Sequence, residues 1–323
     1  AEFDSKTIEG VLMKAVEVLF PVFFMMFLGF LSRKYSWIKP EQNEGAKKIV
    51  FNILFPLLVY HVLAESKISE SFVPQIIYVD ALWIIIYIVG KFIVGKGGKY
   101  EKISPFLLLT CEGGNVALPL YLSMVAKSNA VNILTFDVAG ILINFGLLPI
   151  LVTRELSEKA DIRVLLKRII LSPFMLAVIF GIVSNITGVQ GHLMNSGFGS
   201  VYTSTIDMVI TPITGIILFT LGYELKMEKS LLLPLLKLGI IRICGCVVII
   251  MGFFIFFPTY MADNIFKAGV LLYFMCPTGF PVPLQIKPLV KSEDEENFIS
   301  AFISLFMITA LVAYSVITLI YIK

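Results

Sequence analysis

The chain carries little charge, almost no histidine and few cysteines. Lys and Arg number 26 and Asp and Glu 23 in 323 residues, 15% in all, well below the share a soluble domain keeps on its surface. Two histidines and four cysteines form no zinc-ligand spacing. The sequence also lacks a His-Glu-x-x-His helix, a Gly-x-x-x-x-Gly-Lys loop ending in Ser or Thr, and a Gly-x-Ser-x-Gly elbow. Enzymatic activity, a bound metal and ATP-driven pumping are therefore not expected. The basic residues are dispersed over five loops rather than gathered on one face, which argues against a nucleic-acid partner. Cys111, Cys244, Cys246 and Cys276 all fall in apolar stretches and read as free thiols packed as small apolar side chains.

Apolar residues are abundant instead. They make up 58% of the chain, and the mean hydropathy of +0.90 marks an all-α, multi-pass membrane protein surrounded by lipid. A hydrocarbon core about 30 Å thick needs roughly 20 helical residues. Runs of that kind fall near 10–32, 44–64, 72–95, 104–126, 132–153, 164–188, 203–223, 231–258, 265–290 and 295–321, which predicts ten spans. Lys14 and Glu17 interrupt the first run, so it does not read as a cleavable signal and the first helix is expected to stay. Basic residues cluster after the odd-numbered spans, as in Arg33, Lys34, Lys39, Lys47 and Lys48, or Arg154, Lys159, Arg163, Lys167 and Arg168. The positive-inside rule then places those loops in the cytoplasm of a cell-membrane protein and both termini outside.

Two of the spans are interrupted by helix breakers, one in each half: Cys111-Glu112-Gly113-Gly114-Asn115-Val116-Ala117-Leu118-Pro119 and Cys276-Pro277-Thr278-Gly279-Phe280-Pro281-Val282-Pro283. A matched pair of broken helices points to the binding site of a secondary transporter, because the freed backbone groups need a polar cavity, an ion or a substrate. Other features also repeat. Leu19-Phe20-Pro21 reaches Gly29 at the spacing by which Leu171-Ser172-Pro173 reaches Gly181, and Pro56 corresponds to Pro212. These predict two five-helix halves, residues 1–153 and 164–323, joined by a cytoplasmic connector over 154–163. Because five is odd, the halves are inverted.

Gly113 and Gly114 suit the first break, Asn115 offers an amide, and Pro119 fits the first turn of a restarted helix. The positive end of that helix is a seat for a carboxylate. In the second break Thr278 offers the one hydroxyl, Phe280 an apolar ring, and Pro281 a restart. The expected substrate-binding set is thus Gly113, Gly114, Asn115, Pro119, Thr278, Phe280 and Pro281. Glu112 and Asp80 are intramembrane acids expected to bind a coupling proton or sodium ion, or else to serve structure. Asp137 and Asp207 read as acids near the outer ends of their helices. His61 reads as a hydrogen-bonded core residue, and Lys91, Lys237, Arg242 and Lys287 as chains that snorkel from helix ends.

Taken in order, Leu19-Phe20-Pro21 through Phe27-Leu28-Gly29-Phe30, Phe51 to Pro56, Gly114-Asn115 to Pro119, and Thr211-Pro212 through Leu221-Gly222-Tyr223-Glu224-Leu225 resemble the auxin efflux carrier family along the whole chain. The resemblance implies ten helices in inverted repeats, the fourth and ninth crossing at mid-membrane. It also implies substrate beside the crossing near an Asn, here Asn115, and a homodimer through helices 1, 2, 6 and 7. Two departures stand out: Pro119 follows Asn115 by only four residues, and Asp80 has no Lys one turn later, so an auxin-like substrate is not implied. The expected activity is alternating-access transport of a small organic anion. A sodium-coupled symporter of the bile-acid carrier type and a non-transporting receptor with the same pocket are the alternatives.

Overall fold

The computed structural model describes residues 5–65, 70–94, 99–156, 163, 167, 170–224, 232–279 and 281–321; for 5–12, 14, 15 and 232 it describes the backbone alone. The described residues are helical and contain no strand. The main elements are α1 (Ser5–Lys34), α2 (Pro40–Glu65), α3 (Phe72–Val94), the single turn α4 (Ser104–Leu107), α5 (113–124), α6 (Lys127–Glu155), α7 (Pro173–Thr187), α8 (Gly199–Glu224), α9 (Leu232–Phe256), α10 (Asn264–Met275), α11 (Pro281–Ile286) and α12 (Glu293–Tyr321). Among the described residues, seven stretches, within α1, α2, α3, α6, α8, α9 and α12, are long and apolar enough to cross a membrane. Of the other three expected spans, one gives the 15-residue α7. The remaining two are the interrupted segments α4–α5 and α10–α11. Most of the expected connector 154–163 lies outside the described residues.

Helix ends follow local chemistry. Pro173 opens α7 behind Ser172, whose Oγ accepts the Met175 N–H at 3.2 Å, and Gly188 closes it in the left-handed conformation at φ 71°. The Asp263 carboxylate accepts the Ile265 N–H at 2.9 Å and starts α10.

Two helix pairs pack closely. Where α1 meets α8, a Cβ on Gly29 would overlap the Phe219 carbonyl and a Cβ on Gly222 the Met26 carbonyl, so the backbones touch because both positions lack side chains. Where α2 meets α7, a Cβ on Gly181 would lie 3.0 Å from the Tyr60 carbonyl, and Asn185 Nδ2 donates to the Leu63 and Ala64 carbonyls at 2.9 and 3.1 Å. Lipid is as apolar as Leu, so in such a fold close backbone approach and interhelical hydrogen bonds supply the association that water supplies elsewhere.

Polar contacts sort the helix ends into two layers. Lys47 Nζ lies 2.7 Å from Glu224 Oε1, Lys91 pairs with Glu155, and Lys99 Nζ lies 2.6 Å from Asp294 Oδ2. At the other ends of these helices, Lys127 Nζ lies 3.1 Å from Asp207 Oδ1, Gln190 donates to Glu65 at 2.9 Å, and His61 Nδ1 is 3.1 Å from the Tyr202 hydroxyl. The layers match the sequence division into odd and even loops.

Among the described residues, three helices contain a widened π-turn: α2 at Val50–Leu54, α5 at Gly113–Ala117 and α6 at Leu142–Leu147. Each comes two residues before a proline, namely Pro56, Pro119 and Pro149. Proline has no N–H for the carbonyl four residues back, and its ring crowds that carbonyl, so the turn opens. The bonds Phe55 N–H to Val50 O, Leu118 N–H to Gly113 O and Leu148 N–H to Ile143 O span five residues instead of four.

Candidate functional site

The first interruption lies one turn earlier than the double glycine suggests. The chain leaves the helix at Leu108, runs unwound to Glu112 and restarts at Gly113. Thr110 sits at φ 48°, a left-handed conformation that costs a β-branched residue roughly 1–3 kcal/mol. Two bonds hold it there. Its hydroxyl donates to Asn144 Oδ1 at 3.0 Å, and its carbonyl accepts Arg242 Nη2 at 2.8 Å.

The restarted helix has its own carboxyl groups. Glu112 Oε1 accepts the Asn115 backbone N–H at 3.1 Å and Asn115 Nδ2 at 2.5 Å. The Asp137 carboxyl group stands against the same helix start, with Oδ1 beside Gly113 and Oδ2 beside Gly114. Of the N–H groups that a helix start leaves unpaired, that of Asn115 is thereby bonded to a carboxyl group of the chain itself, and a second carboxyl group packs against the first two. The glycines serve this approach, since a Cβ on Gly113 would overlap Asp137 Oδ1. Asp137, read from the sequence as an acid near a helix end, stands instead in the middle of α6 against the break. Counting from the α6 start could not reveal this, because the break comes to meet it.

The second interruption begins at Cys276, which is extended at φ −73° and ψ 158°. It is bonded to the first. The Glu112 N–H donates to the Pro277 carbonyl at 2.8 Å, and the Thr278 hydroxyl donates to the Leu107 carbonyl at 2.5 Å. A Cβ on Gly279 would lie 2.7 Å from Thr110 Oγ1 and 2.9 Å from Asn144 Nδ2, so the glycine lets the two breaks touch. Arg242 adds a third connection. It is fully buried rather than snorkelling, because α9 packs it behind the junction, where carbonyls freed by the breaks accept its protons.

A cavity of about 390 Å³ opens on this junction. Glu44, Lys47 and Lys48 line its charged end, Phe51, Phe55 and Phe174 contribute apolar wall, and Glu112, Gly114, Asn115, Asp137, Asn144 and Pro281 line it at the breaks. All three π-turns reach it, through Phe51 and Asn52, Gly114 and Asn115, and Asn144 and Phe145. Wide turns inside helices often mark functional positions, and here the three bend toward one space. Over residues 14–322 the chain matches the family described as membrane transport protein. The chain belongs to that family. It is the auxin efflux carrier family that the sequence resembles. No curated relative matches.

In this multi-pass transporter the cavity brings together four of the expected residues, Glu112, Gly114, Asn115 and Pro281. Thr278 lines a smaller adjoining pocket of about 70 Å³ together with Glu112 and Asn115. Gly113 and Pro119 are buried beside the site and line neither space; Phe280 lies outside the described residues. Asp80 stands apart on α3, its Oδ1 buried without a hydrogen-bond partner among the described residues. Sequence reasoning missed Asp137, Asn144 and the two lysines as site residues. A usable signal was present, since Asn52 and Asn115 each precede a proline by four residues and Asn144 precedes one by five.

Proposed function

We propose that the transporter moves a small organic anion across the cell membrane by alternating access, with Asn115 as a substrate contact and Glu112 with Asp137 as the coupling-proton site. The observation that carries the reading is the cavity ending where both interrupted helices meet. An anion entering from the charged end passes Lys47 and Lys48 and reaches Asn115, whose donors are occupied by Glu112. Two carboxylates and a substrate anion repel one another in so small a volume. Protons on Glu112 and Asp137 remove that repulsion and free the helix-start N–H groups for the substrate. Substrate and proton therefore bind together. Thr278 acts by holding the breaks in register, and Asp80, apart from the cavity, takes no part in this step.

Packing supports ten spans in two inverted repeats, residues 1–153 and 164–323. Exchanging the halves turns the α1–α8 contact into the α7–α2 contact, and Gly29 and Gly181 occupy corresponding places in them. The two breaks correspond likewise and cross at mid-membrane. The Lys47 end faces the cytoplasm and both termini face outward. Helices α1, α2, α7 and α8 form a scaffold and, by the family resemblance, a homodimer contact.

The test is solid-supported-membrane current from proteoliposomes challenged with mono- and dicarboxylates, for wild type and Asn115→Ala. A carboxylate-evoked current in wild type that falls at least tenfold in the variant is expected. Equal currents in both would remove Asn115 from the site. Binding of a carboxylate to wild type with no current and no tracer flux would favour a receptor.

A further inference from the structure

The most deeply buried cation in the described structure has no role in the proposed transport step, yet it touches both interruptions. Arg242, on α9, is 0% exposed. Its Nη1 donates to the Leu107 carbonyl at 2.9 Å, and its Nη2 to the Thr110 carbonyl at 2.8 Å, to Cys111 Sγ at 3.3 Å and to the Cys276 carbonyl at 3.2 Å. Leu107 ends α4 and Cys276 follows α10, so one guanidinium fork binds the carboxyl ends of both half-helices. The rings of Phe306 and Trp83 lie against the guanidinium, with centroids 5.1 and 5.8 Å away. No carboxylate among the described residues pairs with it.

A buried charge without an ion partner persists only where dipoles and hydrogen bonds replace its water. Here the replacements are the negative ends of two interrupted helices, each of which lacks continuing N–H groups for its last carbonyls. The two needs meet at Nη1 and Nη2, while Nε has no hydrogen-bond partner among the described residues. A guanidinium is planar and holds several donors at fixed angles, so it reaches carbonyls on two segments at once, whereas an ammonium offers a single point of charge. Arg242 also takes the carbonyl of the left-handed Thr110 and shares the Leu107 carbonyl with the Thr278 hydroxyl.

We propose that Arg242 is the positioning residue of the transport site: it fastens the two breaks to each other from outside the cavity, so that Glu112 and Asn115 keep their places and the breaks move as one body. The proposal rests on the reading of the breaks as the transport site, but its first test needs no substrate. Hydrogen exchange is to be measured by mass spectrometry on purified full-length protein in nanodiscs, for wild type, Arg242→Lys and Arg242→Gln. The Glu112 amide, bonded to the Pro277 carbonyl, reports the junction directly.

The expected result is at least tenfold faster exchange in peptides covering 108–118 and 274–284 in both variants, with peptides from α1 and α8 unchanged. Unchanged exchange at the breaks would overturn the proposal. So would uniformly faster exchange, which would make Arg242 a general packing residue, and so would a Lys variant that fails to assemble. In the current assay, Arg242→Lys is expected to raise the half-saturating carboxylate concentration at least tenfold. An unchanged value would detach the junction from substrate binding. If no carboxylate evokes current in wild type, the substrate assignment fails while the exchange result still decides the role of Arg242.

Discussion

At the scale of single residues, the site holds two carboxylates in an arrangement that each serves differently. Glu112 caps the restarted helix through Asn115, while Asp137 reaches the same helix start from another span. Glu112→Gln and Asp137→Asn leave neutral side chains that imitate the protonated acids. Carboxylate-evoked current should persist in the double variant but no longer increase as the pH is lowered from 7.5 to 5.5, whereas wild-type current should rise over that interval. A double variant with the wild-type pH profile would place the coupling proton elsewhere. Gly113→Ala tests the close approach itself. The added methyl displaces Asp137, and a loss of about 1–3 kcal/mol is expected from overpacking, read as a lower midpoint of thermal unfolding. Glu112 was legible in the sequence because an acid beside two glycines in an apolar run must meet a proton, a cation or a freed backbone N–H. Asp137 was not, since nothing in its own helix announces that a neighbouring break will meet it.

Among elements, prolines shape the helices more than the glycines between them do. Pro119→Ala restores an N–H and removes the ring that opens the turn at Gly113–Ala117. The helix should then close to the ordinary pitch and turn Asn115 away from Glu112. Current is expected to fall at least tenfold while the thermal midpoint stays equal or rises, because Ala is the better helix former by about 3 kcal/mol. Gly222→Ala acts in the opposite way. It forces α1 and α8 apart and should cost about 1–3 kcal/mol or more, lowering the midpoint with any remaining current keeping its half-saturation. Both interruptions were visible as runs of Gly and Pro, yet the first begins at Leu108, five residues ahead of the double glycine. Its unwinding depends on partners on other helices, Asn144 and Arg242, which a local reading cannot supply. Arg242 itself read as a snorkelling residue beside Lys237, yet it lies five residues deeper in α9, and packing against the breaks distinguishes the two.

For the whole molecule, the division of charged ends into two layers makes sidedness measurable. With Cys244, the exposed native thiol, replaced by Ser, Lys48→Cys in inside-out vesicles and Asn195→Cys in right-side-out vesicles should each react with a membrane-impermeant maleimide, and neither from the other side. The reverse pattern would invert the topology. Composition and apolar runs disclosed a helical membrane protein with two interruptions. Which helices press together was less legible, because helix contacts in lipid depend on small residues scattered singly, such as Gly29, Gly181 and Gly222, and not on an apolar stripe.

The helix start at Gly113 already holds one carboxyl group on its Asn115 N–H and a second packed against Gly113. An abundant inorganic anion such as chloride therefore finds no vacancy to settle in, and a cargo must outcompete a tethered rival present at very high local concentration. Under the proposed transport step, selectivity comes from that contest: only a ligand that brings further contacts along the aromatic wall, at a moment when the rival is neutralised, gains entry. Resting occupancy by salt is avoided without any gate.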